Sequence, residues 1–448
     1  MAFSLAAFVR LAVLFVFALT VPLTADQIDV RPGGLAAAAG SARPGDELVL
    51  ADGVYVESFK VGLQQVAIRA ANRGGARIIG TLTFNASDQV VLDGLDIEGT
   101  VALISDAPFV NAHGQTIDGR VGTFSIVACS FHGSDRAITA DAPTGPPIAY
   151  VLISGCSFRD HPVTALVVSA LRGKVERCDF DRCGGGREGP GGYTGGAKTH
   201  VIYATDGSGP WSIVDCTFRD CVNVENNVNL RGGGSLIGCT LLDSGAAIAG
   251  QGSGVIADNV IRGQTGFPDG HSSVSIEWRA MRTGTGGAGE WVDGSQLVIA
   301  RNVLSGAANV STGFVLDGPF SRVAIVGNVL DQAADEADGR AFTLQREFRA
   351  VELELRFNTF QSSGQVGIVA GSFWPQSYAC GGNTLWPSPG LGGELPGGRV
   401  SLVQWSAAIG GGNVKATARR PMALEVPDGM TLRDYWSLAR ANAGVADR

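Results

Sequence analysis

Nine short apolar stretches of this chain end in one figure: Cys or Asn, any residue, then Phe, Leu or Ile. They include "FSIVACSF" (124–131), "WSIVDCTF" (211–218), "GSLIGCTL" (234–241), "LVIARNVL" (297–304) and "LELRFNTF" (353–360). The figure is marked by Cys129, Cys156, Cys178, Cys216 and Cys239, and then by Asn259, Asn302, Asn328 and Asn358. A second short strand follows each stretch, as in "TALVVSA" (164–170), "THVIYATD" (199–206), "SSVSIEWRA" (272–280) and "VGIVAG" (366–371). The intervals vary, as when a short coil carries loops of different size.

Short alternating strands, abundant glycine turns and no long helical pattern predict an all-β chain folded as a single-stranded right-handed parallel β-helix. Equivalent residues of successive coils then stack about 4.8 Å apart. Stacked cysteines fill an interior column as small apolar groups, and stacked asparagines bond coil to coil through their amides. A linear column does not converge on a metal, so zinc is not expected. Cys183 and Cys221 each lie five residues beyond a ladder cysteine, which makes them the best candidates for a disulfide between adjacent coils.

A solenoid needs closed ends. "GGLAAAAGSA" (33–42) and "MTLRDYWSLARANAG" (430–444) suit short helical caps. The expected organisation is a signal peptide over 1–25, the β-helix over 26–395 and a C-terminal strand and helix capping segment over 396–448. The first segment has one charge, Arg10, before the apolar run "LAVLFVFALTVPL". That run is short for a membrane span and fits an export signal, so a secreted or periplasmic protein is expected. The formal charge of -8 argues against nucleic acid, which wants a basic face. A monomer is expected.

One stretch, "CVNVENNVNLRGGGSLIGCTLL" (221–242), alternates apolar and polar residues from Val222 to Arg231. If Ile202, Val228, Ile248, Ile276 and Leu344 face inward, an outward column contains Tyr203, Asn229, Glu277 and Gln345, with Asp317 beside them. A second outward column holds Thr205, Arg231, Gln251 and Arg279. Functional polarity therefore begins near residue 200, flanked by the long loops 184–198 and 280–295. Arg231 and Arg279 suit a carboxylate or sulfate. Lys198, His200 or Tyr203 suits proton transfer. Asn229, Gln251, Glu277, Trp278, Asp317 and Gln345 are candidate substrate contacts, Trp278 and Tyr203 by stacking on a sugar ring. Glu225 with Glu277 suits calcium or the carboxylate pair of a glycosidase. His161, in "RDHP", reads as a turn residue.

The segments "RPGDELVLADGVYVE" (43–57) and "VAIRAANRGGARIIGTLTFNASDQVVLDGLDIEG" (66–99) resemble the chondroitinase-B and alginate-lyase-like family of polysaccharide lyases, a pectate-lyase-like solenoid. The resemblance runs loosely from about residue 40 to 310. It implies that glutamates hold a calcium ion, that a lysine removes a proton and that an arginine stabilises the reaction. Glu225 matches a metal-binding glutamate, and Asn223 stands where another acid is usual. Leu230 falls at the lysine with Arg231 beside it, and Gly250 and Gln251 fall at an arginine and a histidine. The leading expectation is an exported polysaccharide lyase that cleaves a uronate-containing polysaccharide by β-elimination. A glycoside hydrolase or uronate epimerase, and a non-catalytic glycan-binding protein, stand as alternatives.

Overall fold

The computed structural model describes residues 26–383 except 106–108, 111–115, 118–120, 142–147, 185–187, 190–191, 194–198, 206–207, 223, 246–247, 264–273, 284–288, 306–311, 333–339, 346, 363–364, 370–376 and 382; beyond them it describes the strands Thr384–Pro387, Gly393–Leu395, Gly398–Val400 and Val414–Lys415. The expected signal segment and the helix at 430–444 lie outside the described residues. Two compact units are present, Met1–Phe131 with Thr139–Cys156, and His132–Ile138 with Ser157–Arg448.

In the first unit a parallel ladder runs from Gln27–Val30 through Glu47–Leu50, Ala67–Ala70, Val90–Asp93 and Thr123–Val127 to Tyr150–Ser154. The strand Ala76–Asn85 pairs in parallel with Gly53–Val56, Phe59–Val61 and Asp96–Ile104. The N-terminal helix expected from the alanine run forms at Leu35–Ser41. Its first turn is tied by Glu57, whose carboxylate accepts from the backbone N–H of Gly33 (2.9 Å) and Ala36 (2.8 Å). An acid at a helix start satisfies N–H groups that have no partner within the helix.

The second unit has three parallel ladders, and this arrangement is a parallel β-helix. The first ladder runs from Gly173–Glu176 to Ser377–Gly381. The second runs from Ser157–Arg159 to Thr384–Pro387 and on to Val414–Lys415. The third runs from Leu166–Val168 to Gln365–Val369.

Two left-handed residues per coil turn the chain between ladders. One precedes the repeat residue, as at Arg177 (φ 51), Asp215 (φ 52), Asp258 (φ 60) and Arg301 (φ 55). The other precedes the next corner, as at Asp160 (φ 58), Arg182 (φ 51), Asp220 (φ 52) and Asp243 (φ 47). A positive φ costs a non-glycine residue energy, and cross-coil bonding holds it there. The N–H of Arg177 donates to Val214 O, and that of Asp258 to Ala300 O.

The repeat figure forms two interior columns. Asn259, Asn302, Asn328 and Asn358 are linked amide to amide at 2.8–2.9 Å, and the column continues to Asn383. Asn383, in "GGNTL", is a repeat position the nine stretches omit. Two places on, Phe158, Phe180 and Phe218 stack with centroids 4.7 and 4.8 Å apart. The expected Cys183–Cys221 bridge is replaced by two buried free thiols. Burial first, and then Cys221, push the Cys183 thiol well up. The pair packs as small apolar groups, as the repeat cysteines do.

Two tests follow from this packing. Asn328→Ala removes an acceptor for Asn302 and a donor to Ile299 O and Asn358. It is expected to cost about 3 kcal/mol, read as a fall in the urea midpoint, and a loss below about 1 kcal/mol would contradict the column's role. The seven described cysteines, all buried, are expected to resist alkylation at pH 8 in the folded chain and to react once it is denatured.

Candidate functional site

The third ladder carries the site because its strands present alternate side chains away from the core. Ile202, Val228, Ile248 and Ile276 stand in register facing in. Beside them, Tyr203 pairs with Asn229, Asn229 with Ala249 and Ala249 with Glu277. Gln251 pairs with Arg279, and Arg279 with Asp317. An open cleft lies along these strands, lined by Glu225, Asn226, Asn229, Arg231, Ala249, Gly250, Gln251, Glu277 and Arg279.

The charges in the cleft are unequally satisfied. Arg279 Nη2 pairs with Glu277 Oε1 at 2.5 Å. Glu225 Oε2 lies 3.9 Å from His200 Nε2, and Asn229 Nδ2 lies 3.4 Å from the same nitrogen. Among the described residues no carboxylate pairs with Arg231, and its Nε is buried without a hydrogen bond. His200 is only 5% exposed and stacks on Tyr203, ring centroids 4.9 Å apart. Tyr203, half-buried, stands one coil before the cleft beside Asn229.

Three sequence expectations are corrected. Trp278 is not a sugar platform: it is fully buried and faces the core. Its ring fills the space above Gly250 and Gly254, where an added Cβ would lie 2.4 Å from ring atoms, and its Nε1 donates to Gly252 O. Gln345 leaves the Glu277 column, because Phe342 and not Leu344 is in register with Ile276, through Phe314. Gln345 instead follows the Arg279–Asp317 column, where Asp317 also belongs. Third, the alternation seen from Val222 does not make one long strand, since the strand is Asn226–Leu230 and both Asn227 and Asn229 are buried. Leu230, aligned above with a lysine, is buried in the core, and Arg231 follows directly after the strand and lines the cleft.

Lys198 and Asn223 lie outside the described residues. Among the described residues no three His, Cys, Asp or Glu side chains converge as metal ligands. A calcium site fits this cleft poorly. Glu277 is committed to Arg279, and the two guanidiniums oppose a second cation.

Sequence reasoning did not foresee the wall beside Asp317. Arg282 bridges antiparallel to Trp291, its guanidinium lies 3.7 Å over the Trp291 ring, and both side chains reach Glu347 Oε2 at 2.9 Å. Burial first, and then Glu347, raise the pKa of Asp317.

No family model matches the sequence, and no curated protein matches it. Solved structures with a similar fold are found. One is a mannuronic acid specific polysaccharide family 6 lyase enzyme from human gut microbiota, 12% identical, TM-score 0.40, covering 87% of this chain and 83% of that one. Another is an alginate lyase from Paenibacillus sp. str. FPU-7, 12% identical, TM-score 0.36, covering 78% and 97%. A third is a PL6 alginate lyase in complex with a trisaccharide, 12% identical, TM-score 0.32, covering 90% and 98%.

The raised pKa of Asp317 sets a pH test. A carboxyl raised in the folded state destabilises the fold above its folded pKa, and the penalty fades as pH falls toward the ordinary value near 4. Asp317→Asn is therefore expected to be more stable than the parent at pH 7.5. Melting curves at pH 7.5 and pH 4 check this, with the difference vanishing at the lower pH.

Proposed function

We propose that the protein is a polysaccharide lyase that cleaves a uronate-containing chain by β-elimination in this cleft. The observation that carries the reading is the pair of guanidiniums, Arg231 and Arg279, opening into one cleft, with Arg231 lacking a carboxylate partner among the described residues. A paired fork of donors suits a sugar carboxylate. Neutralising that carboxylate lowers the cost of the charge that develops when the adjacent proton leaves.

Elimination takes the C5 proton, forms the C4–C5 double bond and breaks the C4–O bond, and the departing oxygen takes a proton. Arginine keeps its proton in proteins, so Arg231 and Arg279 bind and neutralise but do not act as base. Tyr203 is the half-buried proton-transfer group next to the cleft, and it is assigned that step. His200, nearly buried beneath it, positions the ring and is itself held by Asn229 and Glu225.

A hydrolase needs two carboxyl groups within about 5–10 Å. Of the three candidate acids, Glu225 lies against His200 and Asp317 stands one coil beyond Arg279. Glu277 is also held by Arg279. Hydrolysis is the weaker reading.

The test is to incubate the protein with alginate, other acidic polysaccharides and neutral glucans while following ultraviolet absorbance and reducing ends together. Both signals are expected to rise on an acidic polymer. Arg231→Ala is expected to lower kcat/KM about 100-fold or more, and Tyr203→Phe to lower kcat with little change in KM. Reducing ends alone would replace the lyase by a hydrolase. Binding without either signal would make the cleft a glycan-binding site.

A further inference from the structure

The cleft ends at the coil that carries Glu277 and Arg279, and the connection leaving that coil accounts for the boundary. Elsewhere the third ladder turns into the first almost at once: the strand ending at Gln251 is followed by one starting at Gly254, and Asp317 is followed by Pro319. After Arg279 the next strand starts only at Ser295. The described ends of this longer connection fold back on each other as a strap. Arg282 bridges antiparallel to Trp291, the N–H of Thr283 donates to Glu290 O and that of Val292 donates to Met281 O, both at 2.8 Å.

The strap lies over the coils that follow the cleft. Trp291 rests on Gly318, where an added Cβ would lie 2.5 Å from ring atoms. Gly318 directly follows Asp317, the register neighbour of Arg279. Beyond the next strand of the ladder, Glu347 accepts from both Trp291 Nε1 and Arg282 Nη2. The outward column that lines the cleft at Asn229, Ala249 and Glu277 continues as Val315, which is apolar and only 7% exposed. Charge marks the same boundary. Asp317 sets a carboxyl group beside Arg279, and the Arg282 guanidinium is engaged by Glu347 and the Trp291 face. An acidic chain extended past Arg279 would therefore meet a bulky ring and an acid.

We propose that the Arg282–Trp291 strap closes the cleft at its Arg279 end, so that the protein cuts its polysaccharide near a chain end and not at internal sites. This rests on the lyase reading above. A chain entering from the Asn226 side reaches Arg279 and stops, because going further requires Trp291 to leave Gly318 and Glu347. Each cut then releases a short fragment whose length is set by the closed part of the cleft.

The test follows ultraviolet absorbance and viscosity together on a long acidic polymer, alginate first. The parent is expected to raise absorbance with little early loss of viscosity. Trp291→Ala, and separately Glu347→Ala, are expected to increase the viscosity lost per double bond formed about tenfold, since removing a steric block relieves discrimination against internal sugars. Their kcat/KM on a short uronate oligosaccharide is expected to stay within about twofold of the parent. Glu347 is exposed, so its variant decides the matter even if Trp291→Ala fails to fold. A second readout needs no turnover. With Tyr203→Phe, calorimetry on short and long alginate fractions is expected to give one protein bound per chain at both lengths. An early collapse of viscosity with the parent, an unchanged ratio in both variants, or a stoichiometry that grows with chain length overturns the proposal and leaves the lyase reading standing. Neither double bonds nor binding on any acidic polymer overturns the lyase reading, and this proposal with it.

Discussion

Hydrogen bonding from each coil to the next, in fixed register, is the constraint on which the second unit depends. A strand has period two, so a slip of one residue would turn every core side chain outward. The asparagine column resists that slip. Asn302 Oδ1 accepts from both the backbone N–H and the amide of Asn259, while Asn302 in turn donates by both routes to Asn328. An amide displaced by one position would leave buried donors and acceptors unmet, at a cost of several kcal/mol over the column. Cysteine at the earlier positions makes weaker contacts, such as Cys216 N–H to Cys239 Sγ at 3.4 Å. Register there rests more on the stacked phenylalanines.

This explains which parts of the fold were legible in the sequence. The corner before each repeat residue is a local event, so the Cys-or-Asn figure recurs wherever the chain turns, whatever the loop length. Both the architecture and the asparagine column could be read from it. Residue volumes across coils could not. Gly250 looks like a loose spot in "AAIAGQG", yet it is the space that lets Trp278 of the next coil point inward. Without that pairing, Trp278 in "SIEWRA" reads equally well as an exposed aromatic. The shift of Gln345 has a similar origin, since Phe314 and Phe342, not Leu316 and Leu344, continue the Ile276 column.

Within the candidate site, residue types were legible and their pairing was not. Arg231, Gln251 and Arg279 do share one edge of the ladder, as alternation implied. That Glu277 turns to Arg279, and Glu225 toward His200, depends on side-chain direction, which the repeat does not encode. These pairings decide the chemistry. Two carboxylates and two guanidiniums in a cleft could in principle cancel. Here one arginine is already matched by Glu277, one glutamate faces an imidazole, and Arg231 has no carboxylate partner among the described residues.

A chain with a formal charge of -8 is a poor general attractant for an acidic polymer, because its far field repels it. Screening confines that repulsion to about 8 Å at physiological salt, whereas the guanidiniums act at contact distance in a partly enclosed cleft where the effective dielectric is lower. For the proposed acidic substrate, net charge would set how fast the chain arrives, and the local arrangement around Arg231 would set how firmly one carboxylate is held. Under the proposed reading this division is natural: a long polymer would meet the side of the second unit, and among the described residues the coils between Asn226 and Arg279 would present the donors to one sugar unit.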